Sequence, residues 1–224
     1  MKMKKNVLKA VLFDLDGVVF DTEPQYTVFW GGECRRYHPE RPGLEHEIKG
    51  QTLTQIYDAF FSGTLAPEQE KITQRLNRFE QQMDFSYIKG FEAFINKLKK
   101  HGILTAIVTS SNLPKMAAAK AKHPEIEQLF DAILTSEDFA ESKPSPDCYL
   151  RAAHRLKVEP SQCIVLEDSF NGLMSGRSAG MGVVGFSTTN PASAITHLCD
   201  MVVPDYTKLE IENLWAIIHD DHDC

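Results

Sequence analysis

Val11-Leu12-Phe13-Asp14-Leu15-Asp16-Gly17-Val18-Val19-Phe20-Asp21-Thr22-Glu23 decides the reading of this chain. Val11 to Phe13 form a short apolar run with the character of a buried strand. The run delivers Asp14 and Asp16 onto a turn, where Gly17 supplies the backbone freedom for a sharp change of direction. If the backbone stays extended through Leu15, both carboxylates point to the same side. Crowded carboxylates repel one another unless a cation or a shared proton compensates. The pattern therefore points to a hard, oxygen-binding metal, with one carboxylate free to attack and one free to move protons. By itself the segment also fits a plain Asp-Gly turn, in which those residues serve the backbone only.

Composition narrows the classes. The chain has 224 residues, 42% hydrophobic and 25% charged, which suits a globular domain with an insertion or two small domains. A formal net charge of −7 argues against a nucleic-acid surface, which needs a basic face. It leaves room for an anionic substrate, because a local cation reverses the field inside a cleft. Cys34, Cys148, Cys163, Cys199 and Cys224 form no Cys-x-x-Cys pair, so free thiols in a reducing cytoplasm are expected rather than a disulfide or zinc framework. The basic start Met1-Lys2-Met3-Lys4-Lys5 is followed by an apolar run too short and too interrupted for an export signal. No stretch is apolar enough for a membrane span. The tail His219-Asp220-Asp221-His222-Asp223-Cys224 reads as solvated, with weak metal binding as the alternative.

Outward from the opening strand, taken as residues 7–13, the pattern becomes helical and polar. Segments 24–37, 52–62 and 67–83 read as amphipathic helices punctuated by Pro39, Pro42, Gly43, Gly63 and Pro67. Beyond Gly90 strands and helices alternate. Strands are expected at 103–108, 130–134, 163–166, 182–185 and 201–203. Helices are expected at 91–100, 113–121, 146–156, 171–179 and 208–218. Such alternation predicts an α/β fold, a Rossmann-like doubly wound parallel sheet covered on both faces. The expected division is a core of residues 1–21 and 85–224, with 22–84 a small all-helical cap inserted after the first strand. Ligands of such sheets bind outside the carboxyl ends of the strands. Asp14, Thr109 and Asp168 all follow strands and are expected to converge there.

Each further segment has two readings. Thr109-Ser110-Ser111-Asn112, at a strand-to-helix passage, offers hydroxyls and backbone N–H groups as an anion cradle or as an ordinary helix cap. Lys143, stiffened by Pro144 and Pro146, offers a fixed ammonium for a phosphoryl group, or is a solvated loop lysine. Glu167-Asp168 end a buried strand, where adjacent acids need a cation or backbone N–H groups; Asp168 also fits an N-cap. Arg35, Arg36, His38 and Arg41 read as solvated surface, with a role in substrate charge as the alternative.

Taken in order, Asp14-x-Asp16-Gly17, Thr109, Lys143-Pro144 and Glu167-Asp168 resemble the haloacid dehalogenase superfamily of phosphohydrolases. Asp21-Thr22-Glu23-Pro24, Lys143-Pro144-x-Pro146-Asp147 and Leu166-Glu167-Asp168-Ser169 look like its beta-phosphoglucomutase and sugar-phosphate phosphatase branch. The resemblance implies Asp14 as the nucleophile that forms an aspartyl-phosphate and Asp16 as general acid and base. It implies that Thr109, Ser110, Ser111, Asn112 and Lys143 hold the phosphoryl group, with Gln51 and Thr52 meeting substrate from the cap. It places Mg²⁺ on Asp14, Asp16 (through its carbonyl) and Asp168, with Glu167 bound directly or one layer out. Leu53 and Tyr26 stand where the mutase pattern has an arginine and a histidine, which favours a phosphatase over a beta-phosphoglucomutase-type mutase. The dehalogenase branch lacks an acid/base at the Asp16 position, and the phosphonate-cleaving branch needs a Schiff-base lysine that Lys49 is not placed to supply. A non-catalytic phosphometabolite-binding regulator has no need of both Asp14 and Asp16. The expectation is thus a cytoplasmic, monomeric, Mg²⁺-dependent phosphatase of a small phosphorylated metabolite, without nucleic-acid or membrane partners.

Overall fold

The computed structural model describes residues 7–220. The basic N-terminal residues and most of the His/Asp tail lie outside the described residues. Six parallel strands form one sheet: β1 (Ala10–Phe13), β2 (Leu104–Val108), β3 (Ala132–Leu134), β4 (Cys163–Glu167), β5 (Gly182–Phe186) and β6 (Met201–Val203). Their spatial order is β3-β2-β1-β4-β5-β6. The order reverses direction at β1, so a crevice opens beyond its carboxyl end, between the loops that follow β2 and β4. Phe13 is in register with Ile107 on one side and Leu166 on the other. Asp14 therefore emerges level with Val108 and Glu167.

Alternation along the strands builds two apolar layers. Val11 and Phe13 face a cluster that includes Phe91, Ile95, Met116 and Leu214. Ala10 and Leu12 face the opposite cluster, with Tyr149, Ala152 and Leu173. The first layer is covered by α5 (Phe91–Lys100), α6 (Leu113–Lys122) and α11 (Ile211–Asp220), and the second by α8 (Asp147–Leu156) and α9 (Phe170–Ser178). A parallel sheet covered this way reads as nearly continuous hydrophobic strands, and β1, β4 and β5 are buried along their whole length.

Residues 23–82 contribute α1 (Glu23–Tyr37), α2 (Leu44–Glu47), α3 (Leu53–Phe60) and α4 (Gln69–Gln82), and none of the sheet's strands. They have a core of their own, in which Trp30, Cys34, Leu44, Ile48, Ile56, Phe61, Ile72 and Leu76 are buried together. Tyr26 and Phe79 pack against both this cluster and the sheet's first layer, tying the helical block to the sheet.

Boundaries moved for local reasons. β1 begins at Ala10 rather than residue 7, because residues 7–9 reach the sheet only through Lys9, bonded to Gln162 O and Leu104 N, each at 2.9 Å. A capping box between Thr52 and Gln55 fixes the start of α3 at Leu53. A 3₁₀ turn over Gly63–Glu68, containing Pro67, delays α4 to Gln69. Another over Tyr206–Lys208 delays α11 to Ile211. The short helices α2, α7 (Ile126–Leu129) and α10 (Ala192–Ile195) carry too few residues for a periodic signal.

Candidate active site

The chain leaves β1 as a tight loop. Gly17 N–H bonds Phe20 O at 2.8 Å, and Val19 and Phe20 N–H both return to Leu15 O at 2.9 Å. Gly17 adopts φ +71°, and a Cβ there would lie 2.0 Å from Asp168 Oδ2. Glycine is needed at this position both for its backbone angle and for the close approach of a carboxylate.

At the crevice floor, Lys143 Nζ bonds Asp14 Oδ1 at 2.6 Å, Glu167 Oε1 at 2.6 Å and Val108 O at 3.1 Å. Its side chain is 2% exposed, so the ammonium is caged rather than solvated. Burial alone would lower its pKa, but the carboxylates of Asp14 and Glu167 outweigh that and hold it well above the usual lysine range. Glu167 is saturated. Its Oε1 also accepts from the Tyr149 hydroxyl at 3.0 Å. Its Oε2 accepts from Asp168 N–H, Ser169 N–H and Ser169 Oγ at 2.9, 3.1 and 3.0 Å. Gly172 makes room for it, since a Cβ there would lie 1.7 Å from Oε1.

Asp14, Glu167 and Asp168 each offer a carboxylate oxygen, and these lie within 4.8 Å of one another. Burial, and then the charges of Glu167 and Asp16 against the opposing pull of Lys143, raise the Asp14 carboxyl to about 7. Burial, Glu167, Glu23 and Asp14 push Asp168 well above the carboxylate range, although it accepts a hydrogen bond from Thr189. The pocket thus gathers more carboxyl groups than Lys143 can neutralise. Hard oxygen donors with excess negative charge suit Mg²⁺. Asp14 and Asp168 have the free acceptor capacity, whereas Glu167 is committed to five donors and braces Lys143 and the β4–α9 turn.

Asp16 turns to the other wall. Its Oδ1 accepts from the Thr22 hydroxyl, and its Oδ2 accepts from Ser111 Oγ at 3.1 Å and from the buried ammonium of Lys115. Its own N–H donates to Asp14 Oδ2 at 3.1 Å. The two carboxylates therefore do not lie parallel off an extended strand; the turn splits them, one to Lys143 and one to α6. Thr109 is buried at the end of β2, and its Oγ accepts from Ser111 N–H at 3.0 Å. The Asn112 side chain caps α6, accepting from Lys115 N–H at 3.1 Å, so the helix-cap reading holds for that residue in this structure.

A cavity of about 530 Å³ covers these groups. Asp14, Asp16, Thr109, Ser110, Ser111, Asn112, Lys143 and Asp168 line it from the sheet, and Gln51 and Thr52 line it from the helical block. Gln51 Nε2 donates to Glu47 O (2.7 Å), and the Thr52 hydroxyl is committed to the capping box of α3. The block is seated on the sheet here. Gln55 Nε2 donates to Lys143 O at 3.1 Å, and Gly50, at φ +73°, comes so close to Ser169 that a Cβ would lie 2.6 Å from that residue's Cβ. Arg35, Arg36, His38 and Arg41 are not among the lining residues.

Several participants carry no strong sequence signal by themselves. Lys115 carries one that the sequence analysis did not use: a lysine in the first turn of a helix opposes the macrodipole, which suggests a dedicated anionic partner. Thr189 lies three residues past β5, in the loop at the same edge of the sheet, and the strand-end argument reaches it only loosely. Glu23, Glu80 and Tyr149 come from helices, and only the packing brings them to the crevice.

With this geometry in view, the comparisons are specific. A family model described as haloacid dehalogenase-like hydrolase matches residues 11–186. The chain belongs to that family.

Hexitol phosphatase A of Escherichia coli is 31% identical over 185 residues, covering 79% of this chain and 82% of its own length. Beta-phosphoglucomutase of Bacillus subtilis is 30% identical over 221 residues, covering 92% and 94%. A bifunctional riboflavin kinase/FMN phosphatase from Arabidopsis thaliana is 27% identical over 95% of this chain, but the chain spans only 57% of that protein's length. Among solved structures, a family IA, variant 3 hydrolase of the same family from Entamoeba histolytica superposes with a TM-score of 0.81 at 26% identity, covering 94% of this chain and 99% of that one. The enzyme class, a phosphohydrolase of the family's beta-phosphoglucomutase-like branch, follows from these relatives. No helix among the described residues is long and apolar enough to cross a membrane.

Proposed function

We propose that the chain is a Mg²⁺-dependent phosphatase that hydrolyses a small phosphate monoester, a sugar phosphate by class, through an aspartyl-phosphate on Asp14. The observation that carries this reading is Lys143, buried and bonded at once to Asp14 and Glu167 beside the clustered carboxyl groups of Asp14, Glu167 and Asp168. A nucleophilic carboxylate beside an anionic substrate requires such neutralisation. Mg²⁺, held by Asp14 and Asp168 with the Asp16 carbonyl, would supply the remaining positive charge and orient the phosphoryl oxygens.

In the first step an Asp14 carboxylate oxygen bonds to phosphorus as the bond to the leaving oxygen breaks, and Asp16 gives that oxygen its proton. In the second, Asp16 takes a proton from water, the water oxygen bonds to phosphorus, and the bond to Asp14 breaks. Thr109, Ser110, Ser111 and Lys143 orient and neutralise the phosphoryl oxygens. Residues 22–84 act as a cap over a core formed by 1–21 and 85–224. Seated at Gly50 and Gln55, with Gln51 and Thr52 lining the cavity, they exclude bulk water and contact the leaving group. The buried free thiols fit an enzyme of the reducing cytoplasm, and the enzyme acts as a monomer.

The deciding assay is phosphate release from a panel of monoesters with Mg²⁺ and with EDTA. Release that EDTA abolishes is expected. Conversion of beta-glucose 1-phosphate to glucose 6-phosphate without net release would replace the phosphatase with a mutase. No turnover of any ester would favour a binding protein.

A further inference from the structure

The cavity extends well past Asp14 and Lys143, into a chamber between α1, α3, α4 and α6. Trp30, Ile48, Leu53, Ile56 and Leu76 give it apolar walls, and Glu23, Tyr26, Glu80 and Lys115 give it polar ones. Glu80, on α4, is 5% exposed. Its Oε1 accepts from the Tyr26 hydroxyl at 2.7 Å, and its Oε2 is buried with no hydrogen-bond partner among the described residues. Glu23, at the start of α1, likewise has a buried Oε2 without a hydrogen bond; Lys49 Nζ stands 3.6 Å from it. Lys115 is spent on Asp16, with its ammonium 4.3 Å from the centre of the Tyr26 ring.

Buried acceptors are normally satisfied, and carboxylate oxygens left without a hydrogen bond at a cavity wall call for a partner. Only donors satisfy them. A second phosphate or a carboxylate on the substrate would instead meet Glu23, Glu80 and Asp16, with Lys49 and Lys115 already facing Glu23 and Asp16.

We propose that Glu23 and Glu80 form a polyol-binding subsite that accepts hydroxyl hydrogens of the leaving group, so that the preferred substrate is the monophosphate of a neutral polyhydroxylated carbon chain with no second anionic group. Tyr26 orients Glu80, and the indole of Trp30 supplies an apolar face for C–H groups. The volume, about 530 Å³ including the phosphoryl end, accommodates a small-molecule ligand. This assignment rests on the phosphatase reading and deepens it.

The test compares kcat/KM, with Mg²⁺, for four esters: p-nitrophenyl phosphate, a hexitol monophosphate, a hexose bisphosphate and an amino-sugar monophosphate. Wild type should prefer the hexitol monophosphate over both the aryl ester and the bisphosphate by about tenfold or more. In Glu80→Gln and in Glu23→Gln, the ratio of hexitol to aryl ester should fall by about tenfold, because the amide presents a competing donor. Thermal melts establish that each variant is folded. A bisphosphate used as well as the hexitol ester, an unchanged ratio in both folded variants, or a preference for the amino sugar overturns the assignment. If wild type releases phosphate from no ester, the phosphatase reading fails separately. Calorimetry then decides the subsite: tighter binding of hexitol monophosphate than of inorganic phosphate upholds it, and equal affinity overturns it.

Discussion

Replacing Lys143 with methionine keeps most of the side-chain volume and deletes the charge, so the effect is electrostatic rather than a cavity. Its consequences are unequal. Glu167 keeps the Tyr149 and Ser169 hydroxyls and two backbone N–H groups. Asp14 keeps only the Asp16 N–H at 3.1 Å. Breaking a buried pair by removing one partner costs about 3–5 kcal/mol. For a chain of this size that corresponds to a fall in melting temperature of roughly 6–20 °C. The loss also depends on pH. The folded-state pKa of Asp14, already about 7 with Lys143 present, lies above its unfolded value. A carboxyl raised in this way contributes stability that is complete below the unfolded pKa and disappears as pH rises through the folded one. Without Lys143 that upper limit moves higher. Wild type and variant therefore diverge above neutrality, where wild-type Asp14 ionises beside its ammonium and the variant must either stay protonated or bury a bare charge. Urea unfolding in EDTA at pH 6 and pH 9, extrapolated linearly, reads this directly. The double variant Lys143→Met/Glu167→Gln should lose less than the sum of the single losses. A loss below about 1 kcal/mol at pH 9, or strict additivity, would refute the electrostatic account of this cage.

Gly17→Ala should destabilise the protein and weaken Mg²⁺ binding by about tenfold or more, because its Cβ would displace Asp168; unchanged Mg²⁺ affinity by calorimetry would contradict the ligand role of Asp168. Phe61→Ala, at a fully buried position in the core of the helical block, should cost about 3–5 kcal/mol. Proteolytic cleavage of that variant should fall within residues 23–82, and cleavage in the sheet instead would contradict the separate core. Burial pushes the thiols of Cys34 and Cys163 up to about 11 and about 12. In a Cys224→Ser background, a thiol reagent at pH 8 should therefore label the folded protein far more slowly than the urea-unfolded protein. Stability held by these neutral thiols is complete below the unfolded pKa of about 8.5 and is lost as pH climbs toward 12. Rapid stoichiometric labelling of the folded protein would refute their burial.

Much of the architecture is legible because it rests on local signals. Val11-Leu12-Phe13 and Cys163-Ile164-Val165-Leu166 are continuous apolar runs, the pattern of strands buried on both faces. Polar residues at their ends, Asp14, Thr109 and Glu167-Asp168, converge because parallel strands bring their carboxyl ends to one edge. What sequence reasoning does not reach is the direction in which each carboxylate turns. Asp14 and Asp16 look equivalent on an extended chain, and the turn closed by Gly17 sends one to Lys143 and the other to Lys115. Glu167 and Asp168 look equivalent as ligands until the hydrogen bonds are counted, and Glu167 has no capacity left. The chamber lined by Glu23, Tyr26 and Glu80 depends on how α1 and α4 pack over α6, and no spacing in the sequence encodes that contact.

The claim on which the account turns is that Asp14 carries the phosphoryl group. Acid-quenched turnover with Mg²⁺ and a hydrolysed ester, followed by borohydride reduction and peptide mass spectrometry, tests it most directly. The account predicts that Asp14 is converted to homoserine in the wild-type protein, and that the Asp14→Asn protein shows neither conversion nor phosphate release. Undiminished phosphate release by Asp14→Asn, or a trapped phosphoryl group on any other residue, would contradict it.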